Sequence, residues 1–166
     1  MKYLWVILLF LVVVCPVGAE EVSDATSVPT EVETGFRFLD LAWADEVTDY
    51  RDYRANEEGI FQRGSRAYVY MEIAGYESLW DEDRSQYYTD ISIDVELRSR
   101  IGLRLFAEED VVDYVFWDAY APNSLWFYIW VDIPGWIPRT TYTAQVTIHD
   151  RVGEQTLEKY QELSVE

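Results

Sequence analysis

Apolar and polar residues alternate along four stretches of the chain. Ile91, Ile93, Val95 and Leu97 are interleaved with Asp90, Ser92, Asp94, Glu96 and Arg98. Successive side chains of an extended backbone point to opposite faces, so a period of two with one greasy and one charged face predicts a half-buried strand. Leu125, Phe127, Ile129 and Val131 repeat the pattern, as do Tyr142, Ala144, Val146 and Ile148, and Ala67, Val69, Met71 and Ile73. Weaker strands are predicted at 36–43, 103–107, 112–117 and 155–165. The first changes phase between Phe38 and Leu41, which predicts a bulge. In the last, Lys159 and Gln161 break the phase that Leu157 and Leu163 share. Residues 45–56 fit either a helical turn or a long loop.

The punctuation agrees with strands. Arg63-Gly64 precedes one and Arg100-Ile101-Gly102 separates two. Pro134-Gly135 and Pro138 interrupt the path between two more, where a proline would remove a ladder hydrogen bond. Asp150-Arg151-Val152-Gly153 can turn the chain back as a hairpin. About eight short strands with no helical pattern predict an all-β fold: a sandwich of two antiparallel sheets, with a closed barrel as the alternative.

The N-terminus has a different pattern. Lys2 precedes an unbroken apolar run from Tyr3 to Val14, followed by Pro16, Val17, Gly18 and Ala19 and then by Glu20 and Glu21. These are the three parts of a secretory signal, with small residues where a signal peptidase reads them and cleavage expected after Ala19. A membrane anchor formed by residues 3–19 is less favoured, because the run is short for a bilayer span. Acylation at Cys15 is disfavoured by Val14, which stands where a small residue is wanted. Residues 20–34 lack aromatics and periodicity and read as a flexible acidic leader. A single domain is expected over 35–166, in a secreted or cell-envelope protein. Cys15 is the one cysteine, so cleavage would leave no thiol for a disulfide or thiolate chemistry.

Charge narrows the partners. The chain has 13 Lys+Arg against 31 Asp+Glu. Nucleic acid and an anionic membrane surface are both disfavoured by that balance. The acidity fits a solvated surface, adaptation to high salt, or binding of hard cations. Calcium is therefore the one cofactor left open, although none of Asp45-Glu46-Asp49-Asp52, Asp81-Glu82-Asp83 and Glu108-Glu109-Asp110 has the spacing of a helix-loop-helix calcium site.

Catalytic motifs are missing. His149 is the sole histidine and sits on the polar phase of its strand, and no Gly-x-Ser-x-Gly nucleophile elbow accompanies it. No dinucleotide or phosphate-binding loop is present. No catalytic residue is named, and a non-enzymatic role is expected. The aromatic excess offers more. Trp126, Tyr128 and Trp130 share the outer phase of a strand whose inner phase is wholly apolar. Either something covers them, such as Trp136-Ile137 or the 45–56 segment, or they form a strip for a sugar or a protein partner, with Trp136 as a further contact. Trp80, Tyr87 and Tyr88 lie in a polar stretch and are expected to be partly exposed.

The stretch from Pro138-Arg139-Thr140-Thr141-Tyr142-Thr143 through Val146-Thr147-Ile148 to Leu163-Ser164-Val165 resembles the end of an immunoglobulin-like or fibronectin-type domain. The resemblance implies that Tyr142 packs at a corner and bonds nearby backbone, and that the last strand pairs with its own. It also makes adhesion, scaffolding or protein binding the natural roles, and it carries no activity. An extracellular protein or a glycan is the expected partner.

Overall fold

A computed structural model describes residues 35–166; the signal and leader read at 1–19 and 20–34 lie outside the described residues. Among the described residues there are ten strands and no helix: β1 (Arg37–Asp49), β2 (Asp52–Ala55), β3 (Ile60–Phe61), β4 (Arg66–Ala74), β5 (Leu79–Asp81), β6 (Gln86–Ser99), β7 (Arg104–Asp118), β8 (Ser124–Asp132), β9 (Thr141–Asp150) and β10 (Gln155–Val165). They form a four-stranded sheet in the order β2-β1-β4-β8 and a six-stranded sheet in the order β3-β10-β9-β6-β5, with β7 on the other edge of β6.

Alternation builds one core from both sheets. Met71 and Ile73 of β4 and Leu125 and Phe127 of β8 meet Ile91 and Ile93 of β6 and Ile148 of β9. All of these are essentially inaccessible to solvent. The phase change in β1 is a bulge: Phe38 pairs with Ile73 but Asp40 with Glu72, leaving Leu39 as the extra residue. That shift lets Phe36, Phe38, Leu41 and Trp43 all reach the core side. The irregular phase of β10 also has a cause. Gln161 donates to the Leu41 carbonyl at 3.2 Å, and the Trp43 indole donates to the Glu162 carbonyl at 2.8 Å. Polar groups there tie β10 to the neighbouring sheet.

Three differences from the sequence pattern take the strand count from about eight to ten: one merger removes a strand, and β2, β3 and β5 add three. The stretches 103–107 and 112–117 are one strand, β7, because a bulge carries the ladder past Glu108–Asp110: Ile93 pairs with Val112 but Val95 with Glu108. Residues 45–56 are neither helix nor loop; β1 runs on to Asp49 and turns back into β2. The short β3 and β5 carry too few residues to show periodicity. β3 joins β10 in parallel through Gly59, whose φ of 60° and closeness to the Glu162 carbonyl leave no room for a Cβ.

The β9–β10 hairpin turns at residues 151–154. Asp150 is buried at its base. Its carboxylate accepts from the backbone of Val152, Gly153 and Glu77 and from the side chain of Gln155. A buried charge with that many donors is satisfied, and it fixes the turn.

Candidate functional site

Trp126, Tyr128 and Trp130 face outward from β8, in register with Glu72, Tyr70 and Tyr68 of β4. Ala42 and Ala44 of β1 extend those rows, and their small side chains leave space above the rings. The β1–β2 hairpin bends into that space. Tyr53 stacks on Tyr70 with 4.4 Å between centroids, Tyr50 lies 6.2 Å from Trp126, and the Arg66 guanidinium sits 5.0 Å over Trp130. Trp126 and Trp130 are consequently buried, at 2% and 7% exposure, and Tyr128 is half-buried. Neither indole presents an open face. Over Trp126 the cover comes from the 45–56 segment, and over Trp130 from Arg66.

A polar lock holds the hairpin down. Glu72, 1% exposed, receives Arg51 Nε and Nη2 at 2.9 and 3.1 Å and the Tyr50 hydroxyl at 3.0 Å. Tyr53 donates to Asp40 at 2.6 Å. Burial, and then that bond, push the Tyr53 phenol up to about 12. Arg51 sits in the left-handed region at φ 53°, which costs a non-glycine residue on the order of 1 kcal/mol. Its bonds to a buried carboxylate offset that strain. The sequence held one signal of this lock: Glu72 is a lone acid on an otherwise aromatic face, and a buried acid needs a donor.

The space between the sheets is filled unevenly. Toward the middle and one end it holds Phe127, Met71, Ile91 and Ile148, with Tyr114 edge-on to Phe127. Toward the other end Val69, Val95, Val131, Ala144 and Val146, together with larger side chains such as Trp43, line a cavity of about 380 Å³. Leu105, Ile137 and Trp136 stand at its mouth. Trp136 is 67% exposed, so of the four aromatics singled out in the sequence it alone is largely open, and it lies apart from the β8 row. The polar groups at the rim are already paired: Glu96 with Arg98 and Arg104, and Asp132 with Arg66 at 2.7 Å. The walls therefore offer apolar contact and almost no directional bonding. Spacing alone did not reveal the cavity, because Val and Ala on a core phase look the same whether their neighbours fill the gap or not.

The remaining polar clusters are paired among themselves. His149 Nε2 lies 2.9 Å from Asp94 and its Nδ1 3.3 Å from Thr156. The Arg151 guanidinium takes Asp90, Asp110 and Asp113 together, at 3.3, 2.6 and 2.8 Å. Burial lowers its pKa, but the three acids outweigh that and leave it raised. Acids that converge are thus neutralised by an arginine. Among the described residues no three His, Cys, Asp or Glu side chains are placed to hold a metal ion. Trp80 is half exposed and packs edge-on to Tyr87. Nearby Trp117 is capped by Arg84 at 4.2 Å.

No family model matches the sequence, and no curated protein matches it. Among solved structures, a family 123 glycoside hydrolase from Clostridium perfringens overlaps 65% of this chain and 23% of its own, with 7% identity and a TM-score of 0.45. A likeness of that grade assigns neither fold family nor activity.

Proposed function

We propose that this chain is an exported, non-enzymatic binding module with an immunoglobulin-like β-sandwich architecture, and that it takes a small apolar ligand into the cavity between its sheets. The architecture is supported by two sheets sharing one core, the closing β9–β10 hairpin, and the Tyr142 hydroxyl donating to the Pro138 carbonyl at 2.7 Å, the local bond such domains make at a corner. The ligand reading is carried by the cavity. Interiors are normally close-packed. An apolar space of about 380 Å³ left between the sheets forgoes packing contacts that its wall side chains would otherwise make. A space that large and that apolar is better explained as a site, and its volume lies within the range of ligand pockets, about 300–1,000 Å³.

A small apolar ligand fits better than the protein or glycan partner expected from architecture and aromatic content. The Trp126–Trp130 strip that a partner would use is covered. Among the described residues no set of ligands supports a calcium-dependent role. The test is titration with a neutral naphthylamine dye, followed by displacement with a medium-chain alcohol. Saturable one-to-one binding is expected in the wild type. Ala144→Phe places a ring in the cavity and should abolish binding while leaving the circular dichroism and melting temperature near wild type. A wild type that shows no saturable uptake would overturn the reading.

A further inference from the structure

The end of the molecule that holds the cavity mouth differs in charge from the rest. Three segments meet there. Arg66 pairs with Asp132 across β4 and β8, Arg63 donates to the Gly135 carbonyl at 3.5 Å, and Ser99 at the end of β6 pairs with Tyr142 at the start of β9. The segments 62–66, 96–104 and 132–140 carry Arg63, Arg66, Arg98, Arg100, Arg104 and Arg139 against only Glu96 and Asp132. More than half of the chain's arginines are therefore gathered at one end of a protein whose net charge is −18. Arg100 and Arg139 are exposed there.

The same end exposes apolar side chains at a protruding turn. Ile101 is 89% exposed and Leu103 61%, at the tip of the β6–β7 hairpin, with Leu105 at 45% below them. Trp136 lines the same cavity as Leu105. Isolated apolar residues on a surface need no explanation. Aliphatic side chains at a convex tip, ringed by arginines and flanked by an open indole, make up the set that anchors a protein in the headgroup region of a bilayer.

We infer that this end docks on an anionic phospholipid surface, with Ile101 and Leu103 inserted and Arg98, Arg100, Arg104 and Arg139 facing the headgroups. The net charge argues against such a surface, but it sums over both ends. The acids of the opposite end, Asp81, Glu82, Asp83 and Asp90, lie at or near the start of β6. At about 3.3 Å per residue, the 14 residues of β6 separate its ends by roughly 40 Å. Screening reduces interactions beyond about 10 Å at ordinary ionic strength. A bilayer touching the tip therefore responds to the arginines and little to the distant acids. The nearer acids are Glu162 of β10, Glu57 and Glu58 beside it just before Gly59, and Glu166, whose carbonyl accepts from the Arg63 backbone; β10 lies two strands across the sheet from β6. They would turn the contact toward the β7 and β8 edges, where the arginines are. A flat protein partner would not need aliphatic side chains on a projecting turn, which favours the lipid surface.

The test is sedimentation of the full chain with vesicles of phosphatidylcholine alone and of phosphatidylcholine mixed two to one with phosphatidylglycerol, at low and high salt. Wild type should partition onto the mixed vesicles at least tenfold more strongly than onto the neutral ones, and high salt should remove the difference. Arg100→Glu with Arg139→Glu, and separately Ile101→Asp, should each weaken that partitioning about tenfold or more. Wild type and variants share the same N-terminal apolar run, so a difference between them reports the tip. Equal binding to both vesicle types, no binding to either, or variants that bind like wild type would overturn the inference. Dye uptake by the cavity should be unchanged in these variants, so failure here leaves the ligand reading standing, and failure of dye uptake leaves this one standing.

Discussion

Two regions of the molecule carry more apolar surface than a simple pair of sheets would bury, and they handle it in opposite ways. On the outer face of the four-stranded sheet, the surplus rings are closed over by the β1–β2 hairpin and fastened by Arg51 and Tyr50 on Glu72. Between the sheets, small residues from β4, β6, β8 and β9 leave a cavity that stays open at its mouth. The large aromatic residues that look like a binding strip act as a second core. The modest Val and Ala residues that look like ordinary core line the candidate site. Side-chain size is thus a poor guide to which surface is free, and what decides is whether another segment arrives to cover it.

The sharpest way to break this comparison is to truncate one tryptophan in each region. Trp126→Ala should lose about 3–5 kcal/mol in chemical denaturation, as for a large buried ring. Trp136→Ala should stay within about 0.5 kcal/mol yet weaken dye uptake. Similar losses at both positions would mean the two regions are packed alike. Trp126→Phe should cost much less than Trp126→Ala, since the indole N–H has no partner among the described residues.

A smaller effect is expected at the lock. Arg51→Ala leaves Glu72 buried with only the Tyr50 hydroxyl. The arginine side chain is itself 61% exposed, so the loss should fall below the 3–5 kcal/mol of a fully buried pair, at about 2 kcal/mol. The hairpin should also become more open to hydrogen exchange. An unchanged unfolding midpoint would show that the aromatic cover holds without its polar clasp.

The smallest effect is a pH dependence. The Tyr53 phenol is raised from its ordinary value of 10.0 to about 12 in the fold. The folded state then favours the protonated form, and its contribution is fully present below pH 10. That contribution declines as pH rises from 10 to about 12. Tyr53→Phe cannot ionise, so it should be slightly less stable than wild type at neutral pH, by about 1 kcal/mol. The gap should narrow across that alkaline window. A gap that stays constant to pH 12 would remove Tyr53 from the alkaline limb.

Much of the strand pattern of the core was legible in advance because it rests on local geometry. The runs at Ile91–Leu97 and Leu125–Val131 keep a strict period, and the phase slip after Phe38 could only be a bulge or a break. The merged β7 was not legible, since Glu108–Asp110 looks like a solvated turn until Asp94 accepts the Asp110 amide at 2.8 Å. β2 was hidden for a similar reason: Asp52–Ala55 has one apolar face residue, Tyr53, and no repeat to show. For the site, Trp136 was singled out as one aromatic among several, and its place on the rim came only from the loop between β8 and β9. The cavity walls gave no signal, because nothing in a Val or an Ala indicates how near the opposite sheet comes.

By itself, the sequence determined that the chain is built of strands, which side chains point to a shared interior, and that the chain as a whole is strongly acidic. Each follows from properties a residue carries into any fold: its backbone preference, its neighbours two positions away, its charge. The tertiary structure alone decided which rings are covered, where the interior is hollow, and that the arginines gather at one tip. Burial and screened Coulomb forces depend on distance in space, and that distance is set by segments far apart in the chain coming together.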